Sequence, residues 1–179
     1  MIDLCVIGAG PAGLMAAETA VNRGLSVVIV DAKLSFGRKF LMAGKSGLNL
    51  TKNEPFETFL SSYNDAAEWL SPIIKEFDNQ AAMDWARNLG QSIFTGSSNR
   101  VFPTDMKASP LLRAWLTRLA NKGVKFNQGW RWLGWENEDP IFKTSEGKRL
   151  IKSHTTVLAL GGASWSRLGS DGEWANIFA

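Results

Sequence analysis

The spacing of apolar and polar positions changes several times along this chain, and each change predicts an element. Residues 2–7, IDLCVI, are an almost continuous apolar run, and Leu25 to Val30 are another. Runs of that length bounded by turn residues are the mark of strands buried on both faces of a parallel sheet. Between them, residues 14–23, LMAAETAVNR, are strong helix formers, and Gly24 stands where a left-handed residue can end a helix. The opening stretch is therefore predicted to fold as strand, helix, strand.

From Phe56 to Gly90 the period becomes helical, with Ala66, Trp69, Leu70, Ile73, Ile74 and Phe77 recurring at three- and four-residue spacing. Pro72 predicts a break and a new helix start, and Asn79 to Leu89, closed by Gly90, predicts a further helix. The stripe of Trp69, Phe77 and Trp85 is expected to pack in a core. Ser92 to Arg100 predicts a strand and turn, and Ser109 with Pro110 predicts the cap and first turn of a helix from Leu111 to Asn121, ended by Gly123. From Val124 the period drops to two. Val124 to Phe126, Trp130 to Trp135, Ile141 to Thr144 and Arg149 to Ser153 predict a small antiparallel β-meander over residues 124–153. Thr155 to Leu160 predicts a second buried strand, and a helix is expected to start at Glu173.

The junction between the first strand and helix adds chemistry to this pattern. It reads Gly8-Ala9-Gly10-Pro11-Ala12-Gly13, and the second strand ends in Asp31. Gly8 permits a tight turn, Gly10 lets backbone approach a pyrophosphate, and Gly13 lets helix pack on strand, which together form a dinucleotide-binding fingerprint. Phosphates would sit at the helix N-terminus, where unpaired N–H groups and the positive end of the dipole favour anions. Asp31 is placed to accept hydrogen bonds from a ribose and to repel a 2′-phosphate, which argues against NADP at this site. The motif alone leaves FAD and NAD both open.

Composition narrows the classes. The chain has 179 residues, enough for one domain with a proper core; 45% hydrophobic and 21% charged residues describe a globular protein. The net charge of +3 is spread along the chain, so nucleic acid is not implied. One cysteine, Cys5, inside an apolar strand, rules out a disulfide framework or a cysteine-based zinc cluster. The apolar N-terminal run lacks a basic lead and is soon broken by glycine, so neither signal peptide nor membrane span is expected, and the protein reads as cytoplasmic. His154, the only histidine, lies at a strand junction, where a structural role outweighs a catalytic one.

Further candidates follow the first acid. Ala32, Lys33, Arg38 and Lys39 bring three cations to the edge of the sheet where ligands bind. The loop Gly44-Lys45-Ser46-Gly47-Leu48-Asn49 can lay backbone N–H groups against a flat polar ligand or phosphate, or be a surface loop with flexible glycines. Gly161-Gly162, straight after a strand, can bring backbone close to the same ligand.

Taken in order, GAGPAG, VVIVDA, GRKFLMAGKSGLNLT, RVFPTDMKAS, LALGGASW and RLGSDG resemble the bacterial NAD(P)/FAD-dependent flavoproteins of the BaiN/YhiN-like family over nearly all of residues 2–179. The resemblance implies an α/β fold, a Rossmann-like FAD-binding domain with a parallel central sheet, helices and the meander. It also implies that the chain is the N-terminal portion of a longer protein, cut short before a second domain and a C-terminal return. Carried across, Gly8, Gly10, Pro11, Ala12 and Gly13 would hold the FAD pyrophosphate and Asp31 the adenosine ribose. Arg38 and Lys39 would lie beside the phosphates, Lys45, Ser46, Gly47 and Asn49 near the flavin ring, Trp132 would offer backbone to the adenine, and Gly161-Gly162 would close the site. Many members carry Arg-Cys before the loop asparagine, where this chain has Gly47-Leu48, so no thiol beside the flavin is expected.

The function implied is an FAD-dependent oxidoreductase of unknown small-molecule substrate, with NAD(P)H as a candidate electron donor and no catalytic residue assigned. Lys45 reads as a cation tuning the reduced flavin or as a solvated loop lysine. Two alternatives stand beside this: a single-site NAD-dependent Rossmann dehydrogenase, which would keep alternating strand and helix after Asp31, and a non-catalytic nucleotide-binding fragment.

Overall fold

The computed structural model describes residues 1–169 and 171–178. In chain order the elements are β1 (Ile2–Ile7), α1 (Pro11–Asn22), β2 (Val27–Asp31), α2 (Arg38–Ala43), β3 (Thr51–Lys52), α3 (Phe56–Ser61), α4 (Ala67–Glu76), α5 (Asn79–Asn88), β4 (Ile93–Thr95) and β5 (Arg100–Pro103). There follow α6 (Ala108–Asn121), β6 (Lys125–Gln128), β7 (Arg131–Glu136), β8 (Asp139–Thr144), β9 (Gly147–Leu150) and β10 (Ser153–Leu158). The chain divides into two compact units, Met1–Phe40 with Leu116–Ala179, and Leu41–Trp115.

The first unit is built on a parallel sheet in the order β10-β1-β2-β6, with the antiparallel meander β7-β8-β9 beside it in sequence. β1 and β2 are apolar runs because both of their faces are covered, and Cys5, Val6, Ile29 and Val30 are fully buried. Burial pushes the Cys5 thiol up to about 12, so it stays neutral and inert. Asp3 and Ser26 clasp the starts of these strands: the Asp3 carboxylate accepts from the Ser26 amide and hydroxyl at 2.8 and 2.6 Å, and the Asp3 amide donates to Ser26 Oγ. Those bonds from Ser26 favour the ionised form and hold the Asp3 carboxyl below its ordinary range. On α1, Leu14 and Ala17 are buried, and Glu18 meets Arg118 of α6 at 2.7 Å in a largely desolvated ion pair. Cys5, Ile7, Val28 and Val30 share one cluster with Trp132, Phe142 and Ile151, which joins sheet and meander in a single core.

The second unit contains α3 to α5 and a three-stranded antiparallel sheet in the order β3-β5-β4. Trp115 is buried and meets Trp85 edge to face at 4.7 Å. Asp78 caps α5 by accepting from the Ala81 amide, and the buried Asn79 donates to the carbonyls of Lys52 and Glu54.

Six expectations need correction. The stretch from Val124 is the edge of the parallel sheet, since Lys125–Gln128 pairs with β2; the meander is confined to β7, β8 and β9, because period-two spacing fixes a strand and not its partner. Pro72 lies inside a continuous α4, at the surface, where water can satisfy the carbonyl it leaves without a partner. Helix α6 begins at Ala108, so Ser109 and Pro110 sit in its first turn, where proline's missing N–H costs nothing. Trp69 and Phe77 are not core: they are 64% and 43% exposed, and of that stripe only Trp85 packs on another ring. Finally, β10 is only partly buried because it lies at an edge of the sheet, and Glu173–Ile177 forms a 3-10 turn where a helix start is expected.

No helix among the described residues is long and apolar enough to cross a membrane.

Candidate functional site

The three glycines at the β1–α1 turn differ in what their surroundings demand. Gly8 has φ of +110°, and a Cβ there would lie 2.3 Å from the Ala159 carbonyl oxygen. At Gly13 a Cβ would fall 1.9 Å from the Gly8 carbonyl oxygen, so the helix can approach the strand only with hydrogen at that position. Gly10 differs: its backbone is extended, with φ −78° and ψ 178°, and nothing lies within 4 Å of where its Cβ would be. Among the described residues nothing demands glycine at residue 10, which leaves space beside the backbone for a ligand.

That space opens onto a cleft of about 750 Å³ in the first unit, the size of a cofactor site. At its floor, α1 begins with Pro11, no side chain caps the helix, and no acidic residue sits in its first turn. The positive end of the helix is thus left for an external anion. Asp31 lines the cleft beside this turn, its carboxylate accepting from the Ala9 and Lys33 amides at 2.8 Å each. The same loop is pinned by the Gly37 amide, which donates to the Ala9 carbonyl at 2.9 Å. Arg38 donates from Nη2 to the Arg167 carbonyl at 3.3 Å, while its Nε is buried without a partner. A buried N–H of a cation without an acceptor is costly and marks a place for one.

Of the residues singled out in the sequence, Gly8, Gly10, Pro11, Ala12, Asp31 and Ala32 line this cleft, as do Arg38, Lys39, Trp132 and Gly161. Gly13 lies behind it, in the helix–strand contact. Lys33 supplies its amide to Asp31 and lays its carbon stem on Gly169. Gly162 is not among the lining residues. Lys45, Ser46, Gly47 and Asn49 belong to the second unit, in a loop whose glycines pack closely within that unit: a Cβ on Gly44 would lie 2.6 Å from Ala108 Cβ, and one on Gly47 2.7 Å from Met106 Cε. Trp132 lines the cleft, but it is only 6% exposed and its indole Nε1 is buried without a partner.

The sequence reading missed an aromatic and charged wall: Trp130, Arg131, Trp174, Ile177 and Phe178 also line the cleft. A tryptophan every few residues in an antiparallel segment looks like core, and residues so close to the end of the chain carry no periodicity that would place them.

Comparison with known proteins agrees with this geometry. The family model described as the HI0933-like protein Rossmann domain matches residues 2–179. Thiamine thiazole synthase of Pyrobaculum aerophilum is 47% identical over 36 residues, 20% of this chain and 14% of its own length. Among solved structures, Thermovibrio ammonificans THI4 superposes with a TM-score of 0.58 at 15% identity, over 89% of this chain and 57% of that one. The 3-ketosteroid-delta4-(5alpha)-dehydrogenase from Rhodococcus jostii RHA1, solved with 4-androstene-3,17-dione, gives 0.65 at 14% identity, over 90% and 46%. Those two likenesses are of fold, and the chain spans less than two thirds of the length of each of these three proteins.

Proposed function

Because this chain belongs to the HI0933-like family of FAD-binding oxidoreductases, we propose that it is the FAD-binding part of a flavin-dependent oxidoreductase, with the cleft of its first unit taking the ADP half of the cofactor. The observation that carries this reading is Gly10, a glycine with no internal reason to be one, at an uncapped helix N-terminus facing a cleft that holds an unsatisfied Arg38 Nε. The residues fit the group. Pro11, Ala12 and the first turn of α1 would take the pyrophosphate, with Arg38 and Lys39 beside it. Each oxygen of Asp31 accepts one backbone N–H and keeps a second lone pair for a ribose hydroxyl. Bound FAD would supply the electron chemistry, and this chain would bind and orient it.

Substrate, electron donor and catalytic residues belong to the whole protein. We read its ligands as small molecules, since the cations are dispersed, and its location as cytoplasmic, which a free, buried cysteine supports. A single-site NAD dehydrogenase fits less well: after β2 the chain runs through residues 41–115 before it returns as β6, rather than continuing to alternate strand and helix.

The purified protein should take up FAD and display flavin bands near about 370 and 450 nm. Gly10→Ala should leave stability within about 0.5 kcal/mol and weaken FAD binding about tenfold or more, by filling the space a pyrophosphate needs. A protein that binds NADH but takes up no FAD would sink this reading.

A further inference from the structure

The cleft wall formed by residues 171–178 is held by interactions of a particular kind. Arg131, at the start of β7, reaches Asp171 at 3.6 Å and Glu173 at 3.4 Å. The Trp174 indole N–H donates to the Gly161 carbonyl at 3.1 Å, and Phe178 lies against Trp132 with ring centroids 5.8 Å apart and against Trp174 at 6.2 Å. Ile177 packs closely on Gly134: its Cγ2 lies 3.2 Å from where a Cβ would stand, and Gly134 has φ of +114° beside an irregularity in the β7–β8 register. Beneath this wall the Trp132 indole N–H is buried without an acceptor.

We propose that residues 171–178 are an ion-latched aromatic wall that closes on the adenine end of a bound adenine nucleotide: Arg131 holds Asp171 and Glu173, and thereby sets Trp174 and Phe178 facing the cleft beside Trp132. The proposal deepens the FAD reading and rests on it for the nature of the ligand. The flat π-faces of Trp174 and Phe178 suit a purine, which offers rings to stack. Arg131 is then a positioning residue. It acts through two carboxylates, and because its pairs are partly exposed they bias the wall without fixing it.

The test uses ADP as probe, titrated into the FAD-free chain and followed by tryptophan fluorescence, with hydrogen exchange of residues 171–178 measured in parallel. Arg131→Gln should raise the ADP dissociation constant about threefold, the size expected when exposed ion pairs are lost. Asp171→Asn with Glu173→Gln should do the same, and all three substitutions together should do no more than either set, because they break one latch. Both sets should speed exchange across residues 171–178. Trp174→Ala should cost more, about tenfold, and Trp174→Phe, which keeps a ring, should recover most of that. If the acid-to-amide pair leaves ADP binding unchanged or tightens it while Arg131→Gln weakens it, Arg131 contacts the nucleotide directly and the latch is wrong. Unchanged exchange in both sets, or no ADP binding by the wild type, also overturns it. A wild type that binds ADP but not FAD, with the predicted cycle intact, would remove the flavin reading and leave the wall.

Discussion

The opening β-α-β segment and helix α4 carry apolar patterns of comparable clarity, and the structure treats them in opposite ways. Along β1, α1 and β2 nearly every apolar side chain that the pattern points inward is buried, Leu14, Ala17, Ile29 and Val30 completely. Helix α4 and the Phe77 that follows it carry a stripe at four-residue steps, Trp69, Ile73 and Phe77, yet the helix buries no residue, and all three of these side chains are exposed. Periodicity thus predicts which face of an element is apolar, and says nothing about whether a neighbour covers it. In the first segment the glycines add what periodicity lacks, because they allow helix and strand a spacing close enough for their apolar faces to meet.

Substitutions can break this contrast at either end. The largest effect is expected at Gly13→Ala, whose methyl group would collide with the Gly8 carbonyl, and backbone cannot give way cheaply; a loss of about 3 kcal/mol or more in chemical denaturation would follow from such overpacking. Leu14→Ala, which empties a fully buried site on the same helix, should cost about 3 kcal/mol. Next comes Asp3→Asn, whose effect should depend on pH. The Asp3 carboxyl is held below its ordinary range in the folded chain, so the stability it contributes is present above that ordinary range and is lost as pH falls through the folded value. Melting temperatures of wild type and variant should therefore differ at pH 7 and converge in acid; an equal gap at both pH values would deny the clasp its charge. The smallest effect belongs to Trp69→Ala, which should change stability by no more than about 0.5 kcal/mol despite removing the largest side chain of the α4 stripe. A loss near that of Leu14→Ala would mean that the stripe is covered after all.

The same contrast explains what could be read from residues alone. The glycine turn and the two buried strands were legible because each is demanded locally, by a φ value, a close approach or an unbroken apolar run, and Asp31 and the cations that follow it were legible from their place at the end of the second strand. The sheet partner of Lys125–Gln128 was not, since a strand's own residues do not name its neighbour. Nor was β3, only two residues long, or the antiparallel sheet it forms with β5. Trp174 and Phe178 escaped notice because what places them is Arg131, more than forty residues earlier in the chain.

Strand β10 carries a consequence of another kind. It pairs with β1 on one side and, among the described residues, with no strand on the other. The stretch Thr155 to Leu160, most of it within β10, is uncharged and proline-free, rich in strand-forming side chains, and Leu158 is 38% exposed. An edge of that composition is a template onto which a second chain can add. Intermolecular strand addition at this edge is therefore the association route to expect as the concentration of the chain rises.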